Sequence, residues 1–459
     1  MVSEIADVAR IGDAAGLLLL LFLALEWRHQ PRYARVVLVG FSAAGMAGIA
    51  LSARDPAAAI GLILAGWRRG AALAAFYFAL AALRDAAETS PLFRRVGRQL
   101  LGQPPGRRYA ALTAGGYLFG IILSYGAIDL LGALVSSASG ARGPTAERAV
   151  SARRMMLAVY RGFCTMNAWN PLNVMTAVVT TAVPAAPMRL LMPLGFLVSL
   201  AMLAIGWVED CWRWRGHDEP ARPAVCDTSW AAPLRLIGLV ALVMLLAEAA
   251  DAVLRRGLIT AVTLVVPLVA LGWIAAEIRS VARLGATAAA LPPLPAWLAR
   301  RAARFAARAP NFRAEATILG ASGFMGVALG GALSGSALAS PLASLPPLAI
   351  PLAVPPILML TGQLGLNPIA VVAVIGGALP NPSALGVAPA SLAFACMLGW
   401  ALAVSVTPMS ASAITTARWL RVSPWRVSTV WNAGFAIAAL LLAFGAIIAL
   451  SRIMPMFGA

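Results

Sequence analysis

The run that opens Ala316-Thr317-Ile318-Leu319-Gly320 and closes Ala413-Ile414-Thr415-Thr416-Ala417, residues 316 through 417, holds 102 residues without one Asp, Glu, Lys, Arg or His. One crossing of a bilayer takes about 20 apolar residues, so a run of this length must cross several times. It is not smoothly apolar. Polar and helix-breaking residues gather at Thr361-Gly362-Gln363, Asn367-Pro368, Pro380-Asn381-Pro382-Ser383 and Thr407-Pro408-Met409-Ser410-Ala411-Ser412. Backbone that leaves the helix at membrane depth exposes N–H and C=O groups, each costing several kcal/mol in lipid, so such breaks persist only where protein or a wet cavity covers them. The stretch reads as half of a binding site.

The rest of the composition agrees. The chain has 459 residues, 61% of them hydrophobic and 12% charged, with mean hydropathy +0.83, which predicts an all-α polytopic membrane protein. Apolar runs from Ala14–Trp27 to Trp431–Leu450 give about ten to twelve membrane segments. All 36 basic residues are Arg, which points to a GC-rich bacterial genome and so to a bacterial inner membrane. The net charge of +18 lies in short segments between apolar runs, where Arg meets lipid headgroups and sets topology, so the charge indicates a lipid bilayer as partner and not nucleic acid. Met1 to Asp13 carries Glu4, Asp7 and Asp13 against one Arg, the wrong charge for a cleaved signal, and the first apolar run is expected to stay as a membrane helix. The two His and four Cys are not at metal-ligand spacing; Cys211 and Cys226 share a polar loop and could pair if that loop is periplasmic.

Working outward from the long run, Val208–Trp230 is the most evenly charged segment and is taken as the boundary between an N-terminal repeat with an extra first helix, 1–207, and a C-terminal repeat, 231–459. Each half carries an Arg-rich amphipathic stretch, Arg84–Arg108 and Arg279–Arg313, of the kind that lies at a membrane interface. Each also carries a matching break: Asn170-Pro171-Leu172-Asn173 and Thr407-Pro408-Met409-Ser410 both read [Asn/Thr]-Pro-x-[Asn/Ser] inside helical apolar runs. Two repeats whose broken helices meet at one site would explain the match.

On these residues the chain resembles the ion transporter superfamily, the fold of divalent anion/sodium symporters and arsenite-permease-like proteins. The resemblance rests on Arg153 to Ala158 followed by Thr165 to Asn173, on Ala378 to Pro389 as a re-entrant hairpin, and on Thr407 to Thr416 as a second unwound helix. The Ser-Asn-Thr hairpin signature of dicarboxylate symporters is absent, the expected place reading Leu123-Ser124-Tyr125-Gly126-Ala127-Ile128-Asp129. The resemblance implies two inverted repeats, re-entrant hairpins, an elevator-like motion and a scaffold that forms homodimers.

Half-helix N-termini carry partial positive charge suited to an anion, half-helix C-terminal carbonyls suit Na⁺, and Asn, Ser and Thr add neutral ligands without a buried charge. The expected substrate and ion site is therefore Thr165, Asn167, Asn170, Asn173, Asn381, Ser383, Thr407, Ser410 and Ser412, with Na⁺ the one inorganic partner such a site could take. Asp129, the lone acid of its apolar run, is the expected coupling group, and Arg161 the expected anion contact. Trp169 could pack on an apolar part of the substrate. Together these predict a secondary transporter of a small anion, carboxylate or oxyanion, coupled to Na⁺ or H⁺, and not an enzyme. A membrane enzyme or translocase for a lipid-linked substrate is the alternative; it would need paired acids, Arg or His in a large loop. No P-loop, GxSxG or HExxH occurs.

Overall fold

The computed structural model describes residues 9–88, 90–140, 146–215, 229–283, 294–333 and 344–453. The chain is an all-α polytopic membrane protein. Seven helices among the described residues are long and apolar enough to cross a membrane, and shorter apolar helices of 10–17 residues accompany them.

In chain order the helices are α1 Ala9–Leu25, α2 Arg32–Ser52, α3 Pro56–Glu88, α4 Pro91–Leu101, α5 Pro105–Leu123, α6 Gly126–Gly140, α7 Ala146–Thr165, α8 Val174–Ala182 and α9 Met188–Arg213. They continue with α10 Ala231–Leu254, α11 Leu258–Arg283, α12 Leu294–Arg308, α13 Arg313–Leu333, α14 Ala349–Gln363, α15 Pro368–Ala378, α16 Pro389–Val406, α17 Ala411–Leu420 and α18 Ala433–Ile453. Several begin with Pro in the first turn, where its missing N–H has no intrahelical partner to lose. Asn173, Asn367 and Ser410 cap α8, α15 and α17, each accepting a bond from a first-turn N–H.

The chain forms two compact units that cut across the sequence halves: 1–90 with 241–332, and 91–240 with 333–459. In the first unit α1 and α11 pack on α3. Trp67 stacks on Phe324 with ring centroids 4.8 Å apart, and Gly70 lets the backbone of α3 approach that of α13 at Gly320. Arg308 on α12 binds Asp85 at 3.1 Å and Glu88 at 2.7 Å.

The second unit is built around α16. Every residue from Ala390 to Val406 is buried, as an all-round apolar helix requires. α14 and α18 pack against it, and α5 packs against α7 so closely that a Cβ on Gly162 would meet the carbonyl of Thr113. The short helices α8 and α15 also pair, with Gly376 against Ala182.

Two sequence expectations change here. The charged segment expected to start at 208 is still helix as far as Arg213, because Glu209 and Asp210 are paired inside the second unit; residues 216–228, with Cys226, lie outside the described residues. The first Arg-rich stretch is not one interfacial helix. It contains the end of α3, all of α4 and the start of α5, and α4 buries Phe93, Val96 and Leu101, with Phe93 edge-on to Phe119 at 5.0 Å. Of the second stretch, 284–293 fall outside the described residues.

Candidate functional site

Both sequence breaks are real interruptions, and both lie in the second unit. After α7 a short 3₁₀ turn, Met166–Ala168, leads into irregular backbone through Pro171, and α8 starts at Val174. Proline at 171 removes an N–H and opposes a continuous helix, and the freed groups are then met by side chains. Thr165 Oγ1 donates to the carbonyls of Arg161 and Gly162 at 2.9 and 3.1 Å. Asn167 Nδ2 donates to those of Phe163 and Cys164, both at 3.0 Å. Asn173 Nδ2 donates to Asn167 Oδ1 at 2.7 Å and closes the loop, while its own Oδ1 caps Met175 N at 3.1 Å. Asn170 is fully buried; its Oδ1 accepts from Leu172 N at 2.9 Å and its carbonyl from Thr176 Oγ1 at 2.7 Å. The four expected ligands of the first break thus hold the break itself.

The second break follows α16. Thr407 Oγ1 donates to Ala403 O at 2.6 Å, and Ser410 Oγ donates to Thr407 O at 2.8 Å while accepting from Ala413 N at 3.2 Å to cap α17. The last carbonyls of α16 are met from elsewhere in the unit. Tyr160 of α7 places its hydroxyl 3.1 Å from Val404 O and 3.0 Å from Ser405 O. Asn432 Nδ2 donates to Ser405 O at 2.8 Å, and Gln363 Nε2 to Val406 O at 2.7 Å, with Thr429 Oγ1 at 3.2 Å from the same oxygen. The first broken helix therefore reaches the second break through Tyr160. None of Tyr160, Asn432, Gln363 or Thr429 was among the expected residues.

Two more buried hydroxyls lie along α17. Ser412 is fully buried with its Oγ 3.1 Å from Ser410 Oγ, and Thr416, one turn on, is fully buried with no hydrogen-bond partner for its hydroxyl among the described residues. First-turn N–H groups and buried hydroxyls together suit an anion of low charge. Asn381 and Ser383 are exposed in the connection from α15 to α16, Asn381 just before the turn Pro382–Leu385 and Ser383 within it. Trp169 is half-buried between Tyr117, stacked at 6.4 Å, and Phe196, edge-on at 4.8 Å, so its ring is engaged in packing.

The two charged residues take roles other than those expected. Arg161 is not an open anion contact: it is 3% exposed and gives Nη2 to Glu209 at 2.7 Å, Nε to Asn432 Oδ1 at 2.9 Å, and Nη1 to Tyr109 Oη at 3.1 Å and Gly206 O at 3.3 Å. Its charge is neutralised by Glu209, which Arg213 also approaches at 3.1 Å. Two turns earlier on the same helix, Arg154 pairs with Asp210 at 2.7 Å. Asp129 is not isolated either. It lies in the first turn of α6, half exposed, with Arg418 Nη2 at 2.7 Å and Trp419 Nε1 at 3.2 Å, so its charge is already matched by α17. The turn before α6 holds Ser124 at φ 50°, a left-handed conformation uncommon for a residue with a side chain.

The fold is similar to that of a transporter. A solved structure titled as the Alcanivorax borkumensis YdaH transporter, with "an unusual topology", superimposes with a TM-score of 0.54 at 14% sequence identity, covering 97% of this chain and 99% of that one. No family model and no curated protein sequence matches the chain.

Proposed function

We propose that the chain is a secondary active transporter, in a bacterial inner membrane, that moves a small anion of low charge, a carboxylate or oxyanion. The observation that carries this reading is the joining of two interrupted helices in one unit by Tyr160, within a fold similar to a transporter's. Interrupted helices cost backbone hydrogen bonds, and five side chains here meet backbone groups at the breaks: Asn170 and Asn173 accept from Leu172 N and Met175 N, and Tyr160, Gln363 and Asn432 donate to the last carbonyls of α16. A purely structural helix would need none of that, whereas a carrier needs half-helix ends to meet its cargo.

In this reading Ser410 and Ser412, with Thr416 added, contact the anion at the N-terminal end of α17. Thr165, Asn167, Asn170, Asn173 and Thr407 shape the breaks around it, and Asn381 and Ser383 are the expected ligands most open to solvent. Membership of the ion transporter superfamily, inverted repeats, elevator motion and a homodimer belong to the same proposal. Coupling is to H⁺ or Na⁺. Na⁺ bound at the carbonyl end of α16 would share oxygens that already accept hydrogen bonds. The chain is read as a carrier and not as an enzyme.

The test is a pair of small substitutions. Ser412→Ala and Thr416→Val each remove one buried hydroxyl, and each is expected to weaken anion affinity about tenfold, the effect of one lost hydrogen bond of about 1.5 kcal/mol, with the fold retained. Unchanged anion affinity in both would remove the α17 end from the site.

A further inference from the structure

In the second unit Arg153 of α7 is a half-buried cation without a counter-ion. Its guanidinium carbon lies 4.2 Å over the Trp431 ring and 5.8 Å over that of Trp214, and the side chain makes no hydrogen bond or ion pair among the described residues. Ring contacts hold a guanidinium by its charge and leave its in-plane N–H groups without acceptors. Of these Nε is enclosed by protein, so the terminal Nη groups are the ones a ligand could reach. The charges that act on Arg153 most are the guanidinium groups of Arg213, Arg161 and Arg426, ahead of the Glu209 carboxylate.

The carboxylates of this corner are already committed. Asp210 holds Arg154 at 2.7 Å, and Glu209 holds Arg161 at 2.7 Å and Arg213 at 3.1 Å. Arg426, exposed at the start of the π-turn Arg426–Val430 that precedes α18, has no side-chain partner among the described residues. Glu147 of α7 is exposed six residues before Arg153, which turns it about 120° away around the helix. Arg215, exposed just past α9, adds one more positive charge. An anion is therefore favoured here, and a ligand that brings an ammonium group finds only like charge beside Arg153.

The same corner lies at headgroup depth. Trp207 and Trp212 near the end of α9 and Trp425 beside Arg426 are all exposed, as indoles at the end of an apolar membrane helix are where hydrocarbon meets headgroups. Leading into the membrane from there, Val208, Ala204, Leu200 and Leu197 form an exposed strip on α9 at helical spacing, and Ile437 and Leu441 form another on α18, which packs against α9. Between the two starts lies Gly434, exposed in the first turn of α18, where a Cβ would sit 4.0 Å from Arg213 Nη2. Basic corners of this kind between membrane helices suit anionic headgroups, with acyl chains along the apolar strips.

We propose that Arg153 and Arg426, with Arg213, bind the phosphate of an anionic, amine-free phospholipid of the phosphatidylglycerol type at the membrane face where α9 ends and α18 begins.

The experiment uses the full chain purified in detergent and follows thermal unfolding during titration with phosphatidylglycerol, with phosphatidylethanolamine and phosphatidylcholine of the same acyl chains, and with inorganic phosphate. Phosphatidylglycerol should raise the unfolding temperature at concentrations about tenfold lower than either zwitterionic lipid, the selectivity that one charge-assisted hydrogen bond supplies. Arg153→Gln and Arg426→Gln should each shrink that preference, while Arg452→Gln, which removes the same charge from the other end of α18, should keep it. Arg426 is exposed, so its variant is expected to fold even if Arg153→Gln does not. Equal effects of the three lipids would overturn the proposal. So would a preference that survives in Arg426→Gln, or one that falls equally in Arg452→Gln, which would reduce it to overall charge. A full effect of inorganic phosphate at the same concentration would also overturn it, making the ligand a soluble anion and not a lipid.

Discussion

Arg161→Met removes the guanidinium that ties α7 to α9 and to Asn432, and the structure sets the size of the loss. Arg161 is 3% exposed, and the Glu209 side chain it pairs with is 15% exposed, so neither charge can return to water without moving the helix end. Removing one partner of a buried ion pair costs about 3–5 kcal/mol, because the other is left as an uncompensated buried charge. Here Arg213, 3.1 Å from the other oxygen of Glu209 but itself 40% exposed, offsets part of that cost, which puts Arg161→Met near the lower end, about 3 kcal/mol. Glu209→Met should cost at least as much, since it strands Arg161 among Tyr109, Asn432 and a carbonyl. The double variant leaves no stranded pair member, and its loss should fall short of the sum of the two by about 2 kcal/mol. Denaturant or thermal unfolding of the four purified proteins measures the cycle, and anion titration of the folded fraction runs beside it. The anion affinity of folded Arg161→Met should match the wild type. Additive losses, or a stable Arg161→Met protein with lost anion affinity, would refute the reasoning and return Arg161 to the role of anion contact.

Tyr160→Phe should cost about 1–3 kcal/mol, because the carbonyl of Val404 loses its strongest donor while that of Ser405 keeps Asn432; thermal unfolding reads the loss, and a neutral effect would show that the link between the breaks carries no energy. Asp129→Asn should change stability by no more than about 1 kcal/mol, since the pair with Arg418 is largely exposed, and should leave pH-driven uptake in place. Abolished uptake with an intact fold would restore Asp129 as the coupling group.

The parts legible in the sequence were those with a local cause. The uncharged run required several crossings, and Pro171 and Pro408 marked where helices stop, because proline acts on its own backbone whatever surrounds it. The residues that hold those stops were partly legible for the same reason: Asn167, Asn170, Asn173, Thr407 and Ser410 reach backbone only a few positions away. That they hold the breaks was not legible, since neutral oxygen and amide groups at a break serve a ligand or the break equally well by composition. Residues arriving from far along the chain had no local signal. Tyr160 and Val404 are 244 positions apart, and Arg161 and Asn432 are 271 apart. One clue was present. Arg154 and Arg161 are two helical turns apart on one face, and Glu209-Asp210 follow an apolar run as its only acids, a pattern that fits two cross-helix ion pairs better than a loop. The exposed end of α6 also could not be read from composition, because Asp129 finds Arg418 only when α6 lies on α17.

Gradient-driven uptake separates a carrier from a membrane enzyme. Purified protein reconstituted into liposomes, given a panel of labelled small carboxylates and oxyanions and an imposed H⁺ or Na⁺ gradient, should accumulate at least one of them saturably above its outside concentration, and accumulation should collapse when the gradient is dissipated. Ser412→Ala should raise the concentration needed for half-maximal uptake. No gradient-dependent accumulation of any anion, together with turnover or transfer of a lipid-linked substrate by the same preparation, would contradict the carrier reading and favour a membrane enzyme.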